Sequence, residues 1–259
     1  MLRPQGKIVL LCADGHSTRA IYNALRSRFG NIQVVMEEPI SRLDMAKRRA
    51  KRLGLFRVVG QMAFAALVVP ALQRLSRKRA AEIREEYALN DEWENAQITK
   101  VDSVNSEDAR SILRQLEPDV VVVNGTRIIG GPTLECVDAK FINTHAGITP
   151  LYRGVHGGYW ALVEGHRELV GTTVHAVDKG IDTGNVIAQA CFEVTAKDNF
   201  STYPLLHTAV AIPILLDAIE KALSNKLTTS ANPKGLDSKL RYHPTIFEYF
   251  RHRLLRGVK

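Results

Sequence analysis

The first 145 residues alternate between short apolar runs and longer stretches with helical periodicity. The apolar runs predict β-strands at 7–12, 32–36, 97–101, 119–124 and 141–144. Four consecutive valines in the fourth run are typical of a strand buried on both faces, as parallel strands covered by helices are. Strands that alternate with helices predict an α/β fold, with an open, mostly parallel sheet and helices on both faces.

The pattern beyond residue 145 predicts a short helix, two more strands, a long helix and a final amphipathic segment. These elements fall at 157–164, 170–177, 185–194, 199–223 and 246–255. Proline cannot donate a backbone hydrogen bond, so we expect Pro204 and Pro213 to bend or break the long helix. We interpret the chain as one main domain at 1–225, with a helical insertion at 42–86, followed by a C-terminal extension at 226–259.

The insertion is basic, and its centre is the most apolar part of the chain. The formal net charge is +8 and the pI is near 9.5, which leaves nucleic acid, a phosphorylated metabolite, an acidic membrane surface and plain solvated helix faces all open. The stretch 58–72 contains Gly60, Gln61 and Pro70 and is short for a membrane span, which needs about 20 apolar residues. We therefore expect a buried or interfacial helix, no stable membrane insertion, and a surface that leaves a homodimer open.

Cysteine content and the N-terminal residues both favour a cytoplasmic protein. Cys12, Cys136 and Cys191 are isolated and odd in number, which supports neither a disulfide framework nor a zinc site. The opening apolar run is too brief, and is interrupted too soon by Asp14 and His16, for a signal sequence.

Polar residues gather where the predicted strands end. Asp14-Gly15-His16 follows the first strand, 124–127 follows the fourth, and Asn143-Thr144-His145 ends the fifth. In a parallel α/β sheet ligands bind at the carboxyl ends of the strands. The turn at Gly15 and His16 also opens a helix, where anions are favoured, although its single glycine makes it a weak phosphate signal.

The stretch 143–154, Asn-Thr-His-Ala-Gly-Ile-Thr-Pro-Leu-Tyr-Arg-Gly, carries the most specific pattern. It is followed at 171–184 by Gly-Thr-Thr-Val-His-Ala-Val-Asp-Lys-Gly-Ile-Asp-Thr-Gly. In their order and spacing these residues resemble the catalytic core of the folate-dependent formyltransferases. The resemblance implies an N-formyltransferase that uses 10-formyltetrahydrofolate as co-substrate, with Asn143, His145 and Asp182 as catalytic residues and His175 in support.

The chemistry of formyl transfer suits these residue types. An amine that attacks a formamide carbonyl creates negative charge on oxygen, which fixed hydrogen-bond donors stabilise. Asn143 and His145 lie two positions apart on a strand, so their side chains leave from the same face and could reach one oxygen. His145 and Asp182 could carry the protons that the amine loses and the folate nitrogen gains. Taken singly, each residue could equally cap a turn or fill the core.

The resemblance also implies where the co-substrate would bind. The strand-end residues Arg127, Ile128 and Ile129 and the loop that contains Asp182 would hold the pterin by backbone hydrogen bonds and apolar contact. The loop residues implied are Asp178, Gly180 and Gly184. No two or three His, Cys or carboxylate residues show metal-ligand spacing, so no metal is expected.

The amine acceptor is less well defined by the sequence. The chain resembles sugar N-formyltransferases in its compact size, its basic insertion and the stretch Tyr-Arg-Gly-Val-His-Gly-Gly-Tyr-Trp. The resemblance implies that the acceptor is a nucleotide-linked 4-amino-4,6-dideoxy sugar, such as GDP-perosamine in O-antigen lipopolysaccharide biosynthesis. It implies no nucleic-acid partner. The substrate-binding residues predicted are Gly15, His16, Tyr152, Arg153 and Tyr159. Arg153 could equally tie down its own loop, and at least two of the neighbouring aromatic residues are expected to be packing residues.

Three alternatives stay open. Glycinamide ribonucleotide is disfavoured because the Gly-Ser-Asn turn of those enzymes is missing after the first strand. Methionyl-tRNA is disfavoured because few residues follow the last core helix, too few for the tRNA-binding barrel. A folate or nucleotide-sugar binding domain without catalysis would not need Asn143, His145 and Asp182.

Overall fold

A computed structural model describes residues 6–232 and 237–259 of the chain. In these residues the strands are β1 (Ile8–Cys12), β2 (Gln33–Glu37), β3 (Ile98–Val101), β4 (Val120–Asn124), β5 (Lys140–His145), β6 (Tyr152–Gly154), β7 (Gly171–Ala176), β8 (Val186–Cys191) and β9 (Lys239–Arg241). The α-helices are α1 (His16–Phe29), α2 (Arg42–Leu53), α3 (Leu55–Ala63), α4 (Val69–Leu75), α5 (Arg77–Glu86), α6 (Glu107–Leu116), α7 (Gly131–Leu134), α8 (Gly157–Glu164), α9 (Tyr203–Leu223) and α10 (Ile246–Arg256). A π-helix at Phe64–Val68 joins α3 to α4, and a 3-10 helix lies at Arg167–Leu169.

Seven of these strands form one sheet, in the order β3-β2-β1-β4-β5-β7-β8. The first five strands in the chain pair in parallel, whereas β7 runs antiparallel to β5, and β8 antiparallel to β7. The expected open, mostly parallel α/β sheet is confirmed. Strands β7 and β8 follow each other through the loop at 177–185, as antiparallel neighbours can, because only parallel neighbours need a long crossover connection. Strands β5 and β7 are joined by the longer segment 146–170, which contains β6 and α8.

Side chains that alternate along the central strands build a core on each face of the sheet. In β1, Leu10 points to the face covered by α1 and α9, where it packs with Leu25 and Leu215. Its neighbour Leu11 points to the opposite face, where Leu113 of α6 covers it. The twofold period of a strand therefore explains why an unbroken apolar run is needed here.

Helix α9 crosses one face of the sheet and differs from the expected long helix in two respects. It begins at Tyr203, four residues later than expected, and it continues through Pro213. Pro204 lies in the first turn, where its missing N–H would have no helical partner. Pro213 costs an internal hydrogen bond, but Ala209, Leu215 and other buried residues of the same helix hold it on the core.

The C-terminal extension packs on the rest of the chain. Its strand β9 pairs in parallel with β6 to form a separate two-stranded sheet. Helix α10 begins with a capping box between Thr245 and Glu248 and contacts α3 and the π-helix of the insertion. Strands β6 and β9 are only three residues long, too short to give a recognisable periodicity in the sequence.

Candidate active site

A cavity of about 560 Å³ opens at the carboxyl ends of β1, β4 and β5. The loop after β7 and the first turns of α9 complete its wall. The predicted residues in its lining are Arg127, Ile128, Ile129, Asn143, His145, Tyr159, Asp178, Gly180 and Asp182. The cavity therefore lies where the parallel topology leads us to expect a ligand site.

Asn143 is held in place by His175 on the neighbouring strand. The two residues are directly opposite in the antiparallel pairing of β5 with β7, and the Asn143 Nδ2 lies 3.0 Å from the His175 Nε2. On its other side, His175 Nδ1 lies 2.8 Å from the carbonyl oxygen of Ala176 and donates to it. Burial lowers the pKa of His175, so the neutral ring accepts a hydrogen bond from the Asn143 amide at Nε2. One amide hydrogen of Asn143 stays available to the cavity.

His145 presents its second ring nitrogen to a carboxylate. Its Nε2 donates to the carbonyl oxygen of Tyr152 across 2.6 Å. Its Nδ1 faces Asp182 Oδ2 at 3.5 Å, and the side chain is only 6% exposed. The backbone bond fixes the ring so that Nδ1 is the nitrogen free for proton transfer.

Asp182 lies on a tightly folded loop between β7 and β8. Its backbone adopts a left-handed conformation with φ of 51°, and its Oδ2 accepts the N–H of Gly154 at 2.8 Å. The guanidinium of Arg153 donates to the carbonyl of Ile181 at 3.2 Å. Strand β6 thus fixes this loop with two hydrogen bonds, one from the backbone of Gly154 and one from the side chain of Arg153.

The structure therefore brings the three predicted catalytic residues together, although 37 positions separate His145 from Asp182 in the chain. His175 completes the cluster, with its Nε2 at 3.9 Å from Asp182 Oδ1. An amide donor, a histidine nitrogen that can take up a proton and a carboxylate at the end of one cavity can stabilise negative charge on an oxygen and relay a proton.

Some of the predicted pterin-binding residues line the cavity, and others are engaged in packing or pairing within the fold. Arg127 lines the cavity, but its guanidinium already pairs with the buried Glu37 at 3.1 Å. Ile128 is 55% exposed and Ile129 is buried. Gly184 lies outside the lining and packs so close to the Ala176 carbonyl that a Cβ would fall 1.6 Å from that oxygen.

Four of the predicted substrate-binding residues lie away from the cavity lining. Tyr152 is 1% exposed and its hydroxyl contacts the His166 ring, so it is a packing residue. Arg153 is used to hold the loop of Asp182, as the sequence had left open. His16 pairs with Asp91 at 2.9 Å, and Gly15 beside it has open space around its Cα.

Tyr159 does line the cavity, but its hydroxyl points to the His252 ring at 2.9 Å. Burial raises the pKa of this phenol well above its usual range. It therefore offers the cavity an apolar ring face.

Several lining residues were not among the predicted site residues, although Asn124 lies in the strand-end segment 124–127 that the sequence analysis had singled out. They are Ser17, Asn124, His156, Phe200, Tyr203 and His207. Burial lowers the pKa of His207 to about 3, and its Nε2 has no hydrogen-bond partner among the described residues. His156 lay within the quoted motif and was a recoverable signal, whereas Phe200 and His207 come from a region without a motif.

The described part of the chain contains no group of three or more His, Cys, Asp or Glu side chains that could hold a metal ion. One helical stretch, Leu55–Leu75, is long and apolar enough to cross a membrane by length and composition, and 33% of its most apolar 18-residue window is buried in the fold.

Comparison with known proteins defines the family. The formyl transferase family model matches residues 7–211. The chain therefore belongs to the formyl transferase family, as the motifs at 143–154 and 171–184 indicated.

A curated relative is the methionyl-tRNA formyltransferase of Thermodesulfovibrio yellowstonii (strain ATCC 51303 / DSM 11347 / YP87). It is 29% identical over 135 residues, which are 52% of this chain and 42% of that protein. The chain thus spans less than half of the length of this relative, as it does for two further methionyl-tRNA formyltransferases.

Two solved structures share the fold. Glycinamide ribonucleotide transformylase 1 from Symbiobacterium toebii has a TM-score of 0.59 at 18% identity, covering 90% of this chain and 96% of that one. An N-formyltransferase from Helicobacter canadensis, solved with folinic acid and dTDP-3-aminofucose, has a TM-score of 0.53 at 14% identity, covering 93% of this chain and 71% of that one.

Proposed function

We propose that this chain is a cytoplasmic enzyme that transfers a formyl group from 10-formyltetrahydrofolate to the amino group of a nucleotide-linked amino sugar. The observation that carries the proposal is the convergence of Asn143, His145, His175 and Asp182 at one end of a cavity of about 560 Å³. A site that only bound folate or a nucleotide sugar would not need a buried histidine and a carboxylate in contact beside a fixed amide.

The cavity suits a flat, partly polar co-substrate. Apolar side chains of Ile128, Ile129, Val177 and Ile181 line it together with the backbone of the loop before Asp182. This combination can sandwich a pterin ring and bond its edge. The folate donor supplies the formyl group. The residues of the chain hold and orient the donor and move protons to and from the reacting atoms.

Each catalytic residue has a defined task in the proposal. Asn143, fixed by His175, donates its free amide hydrogen to the formyl oxygen as that oxygen gains charge. His145 Nδ1 and Asp182 take a proton from the attacking amine. The new C–N bond forms first and leaves the charge on the formyl oxygen. The bond from the formyl carbon to the folate nitrogen then breaks as the carbonyl forms again, and the proton passes to that nitrogen.

For the acceptor we favour a nucleotide-linked 4-amino-4,6-dideoxy sugar, with GDP-perosamine of O-antigen lipopolysaccharide biosynthesis as the specific candidate. The fold is shared with the Helicobacter canadensis enzyme, which binds folinic acid and dTDP-3-aminofucose. The net charge of +8 also favours a substrate with a diphosphate. His156 and Phe200, whose ring centroids lie 4.4 Å apart in the cavity wall, offer surfaces for a sugar or base.

Methionyl-tRNA is the second candidate, since the sequence similarity to methionyl-tRNA formyltransferases extends over 135 residues. The basic helices at 47–52 and 77–79 would suit a polyanionic RNA. The two candidates differ in the size of the acceptor, so direct assay separates them.

The test is a transfer assay with a panel of amines. The purified chain is incubated with 10-formyltetrahydrofolate and one acceptor at a time: GDP-perosamine, a dTDP-linked amino sugar, glycinamide ribonucleotide or methionyl-tRNA. The mass of each product is then measured to detect a formyl group in place of a hydrogen. We expect transfer to a nucleotide-linked amino sugar. Transfer to methionyl-tRNA alone would show that the acceptor is methionyl-tRNA and not an amino sugar. If none of the amines is formylated, the proposed activity is wrong.

Variants then test the residues. Asn143→Ala and Asp182→Asn should each lower kcat by roughly 10²–10³, the usual cost of one oxyanion donor or proton-transfer group. The matched control is His16→Ala, whose side chain is 71% exposed outside the cavity and should leave kcat unchanged. Near-native turnover of either cavity variant would remove that residue from the mechanism.

A further inference from the structure

The helical ridge α3, π-helix and α4 exposes an apolar face that nothing in the described chain covers. Its inner face is buried through Val58, Phe64, Val68 and Leu72. Its outer face includes large apolar side chains that are more than half exposed: Leu55, Phe56, Val59, Met62, Leu67 and Leu75. Between Arg57 and Arg74 the sequence has no charged residue. A continuous apolar face of this kind marks an interaction site.

Helix α10 lies beside this ridge and extends the apolar face. Arg57 of α3 pairs with Glu248 of α10 at 3.3 Å, and Phe64 contacts Tyr249 with ring centroids 5.1 Å apart. Next to this ion pair in the chain, Phe56 is 95% exposed and Phe247 is 81% exposed. Leu254 and Leu255, about two turns further along α10, are 82% and 72% exposed. We call the outer face of the ridge and of α10 together the apolar platform.

The segment that contains most of the apolar platform is rich in positive charge, and two of its arginines are paired within the fold, Arg57 with Glu248 and Arg79 with Asp198. From Arg42 to Arg79 the sequence has eleven lysines and arginines and a single carboxylate, Asp44. Helix α10 adds three exposed arginines, Arg251, Arg253 and Arg256. An apolar helical face with a basic border is the pattern of helices that lie in a membrane interface.

We propose that the apolar platform docks this protein on the surface of an anionic phospholipid bilayer. Phe56, Leu67 and Phe247 insert among the acyl chains, and the surrounding lysines and arginines contact the phosphate headgroups.

The anchoring of the ridge favours docking on the membrane over crossing it. Gln61 Nε2 donates to the carbonyl of His243 at 2.7 Å, and Ser76 at the end of α4 accepts from Asn199 at 2.6 Å. Phe64 also packs edge-on against Phe200, with ring centroids 4.9 Å apart. To span a bilayer the ridge would have to give up these bonds and the burial of its inner face.

The charge distribution favours lipid over a second copy of the chain. In a twofold dimer the same patch meets itself, so the basic residues around the platform would face one another. Repulsion between like charges opposes that contact, whereas a phosphatidylglycerol surface neutralises it.

Vesicle flotation with the full chain tests the proposal. Vesicles of phosphatidylcholine mixed with phosphatidylglycerol are compared with phosphatidylcholine alone, at low and high NaCl. We expect binding to the anionic vesicles that weakens with salt, because each basic residue at the surface contributes about fivefold in affinity. No binding to anionic vesicles at low salt would overturn the proposal.

Two sets of variants locate the surface. Phe56→Ser with Phe247→Ser should weaken binding more than tenfold, because each loses a buried ring at the lipid interface. Lys47→Glu with Arg48→Glu should weaken it at least as much. The matched controls are Tyr87→Ser, which is 40% exposed on the end of α5, and the exposed Lys226→Glu, and both should bind like the wild type. Unchanged binding of the platform variants would refute the assignment.

Other results would show that something other than an anionic bilayer surface covers the apolar platform. Self-association that Phe56→Ser abolishes, without vesicle binding, would identify a second copy on the platform and overturn the lipid proposal. Release only by detergent, and not by salt or carbonate, would show that the ridge spans the bilayer. Asn143 lies in the cavity and not on the apolar platform, so the Asn143→Ala variant should bind vesicles like the wild type. A failure of vesicle binding can therefore be distinguished from a failure of the proposed activity.

Discussion

At the residue scale, the register of one strand pair sets the chemistry of Asn143. Opposite residues of β5 and β7 place His175 against its amide, and the Ala176 carbonyl fixes which ring nitrogen of His175 carries the proton. The amide of Asn143 therefore has one defined orientation. A free asparagine could present either its oxygen or its nitrogen to a substrate, and only the nitrogen could stabilise an oxyanion.

His207 gives a prediction for stability against pH. Its pKa is about 3 in the fold because of burial, against roughly 6.5 in an unfolded chain. Between these values the unfolded chain binds a proton that the folded chain does not, so the free energy of unfolding falls as pH falls. The contribution is about 1.4 kcal/mol per pH unit below about pH 6. Urea unfolding of His207→Gln should therefore show a flatter pH dependence by that amount.

Thr172 supplies the control for this prediction. Its hydroxyl lies 2.9 Å from His207 Nδ1, and Thr172→Val removes that partner while the imidazole stays buried. The slope against pH should then remain as steep as in the wild type. Equal slopes for wild type and His207→Gln would contradict the burial argument.

Single residues show what the sequence could and could not predict about the site. The two-residue spacing of Asn143 and His145 on a strand was enough to place both on one face. Tyr152 and Arg153 occur in the same motif but serve packing and loop anchoring, because a motif does not reveal which way a side chain points. His207 was missed because its place in the cavity depends on the packing of α9 across the sheet.

At the element scale, the loop from Asp178 to Gly184 positions the carboxylate of Asp182. Asp178 closes the loop by accepting from the Gly180 N–H at 3.0 Å and the Thr183 hydroxyl at 2.7 Å. Gly184 lets the end of the loop press against the Ala176 carbonyl. The loop is therefore a tightly closed turn in which only glycine fits at its last position.

Two glycines form a matched pair that tests this loop. In Gly184→Ala the new Cβ would meet the Ala176 carbonyl oxygen at 1.6 Å, so the loop must shift and move Asp182. A shift of about 1 Å can cost roughly 10²-fold in turnover. In Gly15→Ala no atom lies within 4 Å of the new Cβ, and turnover should stay near that of the wild type. A kinetic assay in which both variants behave alike would refute the role of the loop.

The elements differ in how far local sequence determines them. Parallel strands such as β4 were predictable because burial on both faces demands a continuous apolar run. The helical insertion was equally clear from its composition and periodicity. The pairing of β6 with β9 was not predictable, since it joins two three-residue segments that are distant in the chain. The continuation of α9 through Pro213 was also missed, because tertiary packing outweighs the local penalty of proline.

At the scale of the whole molecule, the cavity is walled by segments from distant parts of the chain. Asn124 and Asn143 come from the parallel part of the sheet, Asp182 from the antiparallel edge, and His207 from the helix that crosses both. These walls come together only in the folded chain. A ligand of this cavity therefore has no site on the unfolded chain and must stabilise the fold.

This linkage predicts that folinic acid, a formyl-bearing folate, raises the stability of the protein. At a concentration about 100 times its Kd, it should add roughly 2.7 kcal/mol to the free energy of unfolding, measured by urea titration. Ile128→Asp should abolish the gain, because this 55% exposed residue lines the cavity and an apolar contact to the ligand would be replaced by a charge. Leu255→Asp, at 72% exposure on α10, should keep the gain. If Ile128→Asp is stabilised as strongly as Leu255→Asp, the folate binds elsewhere on the molecule.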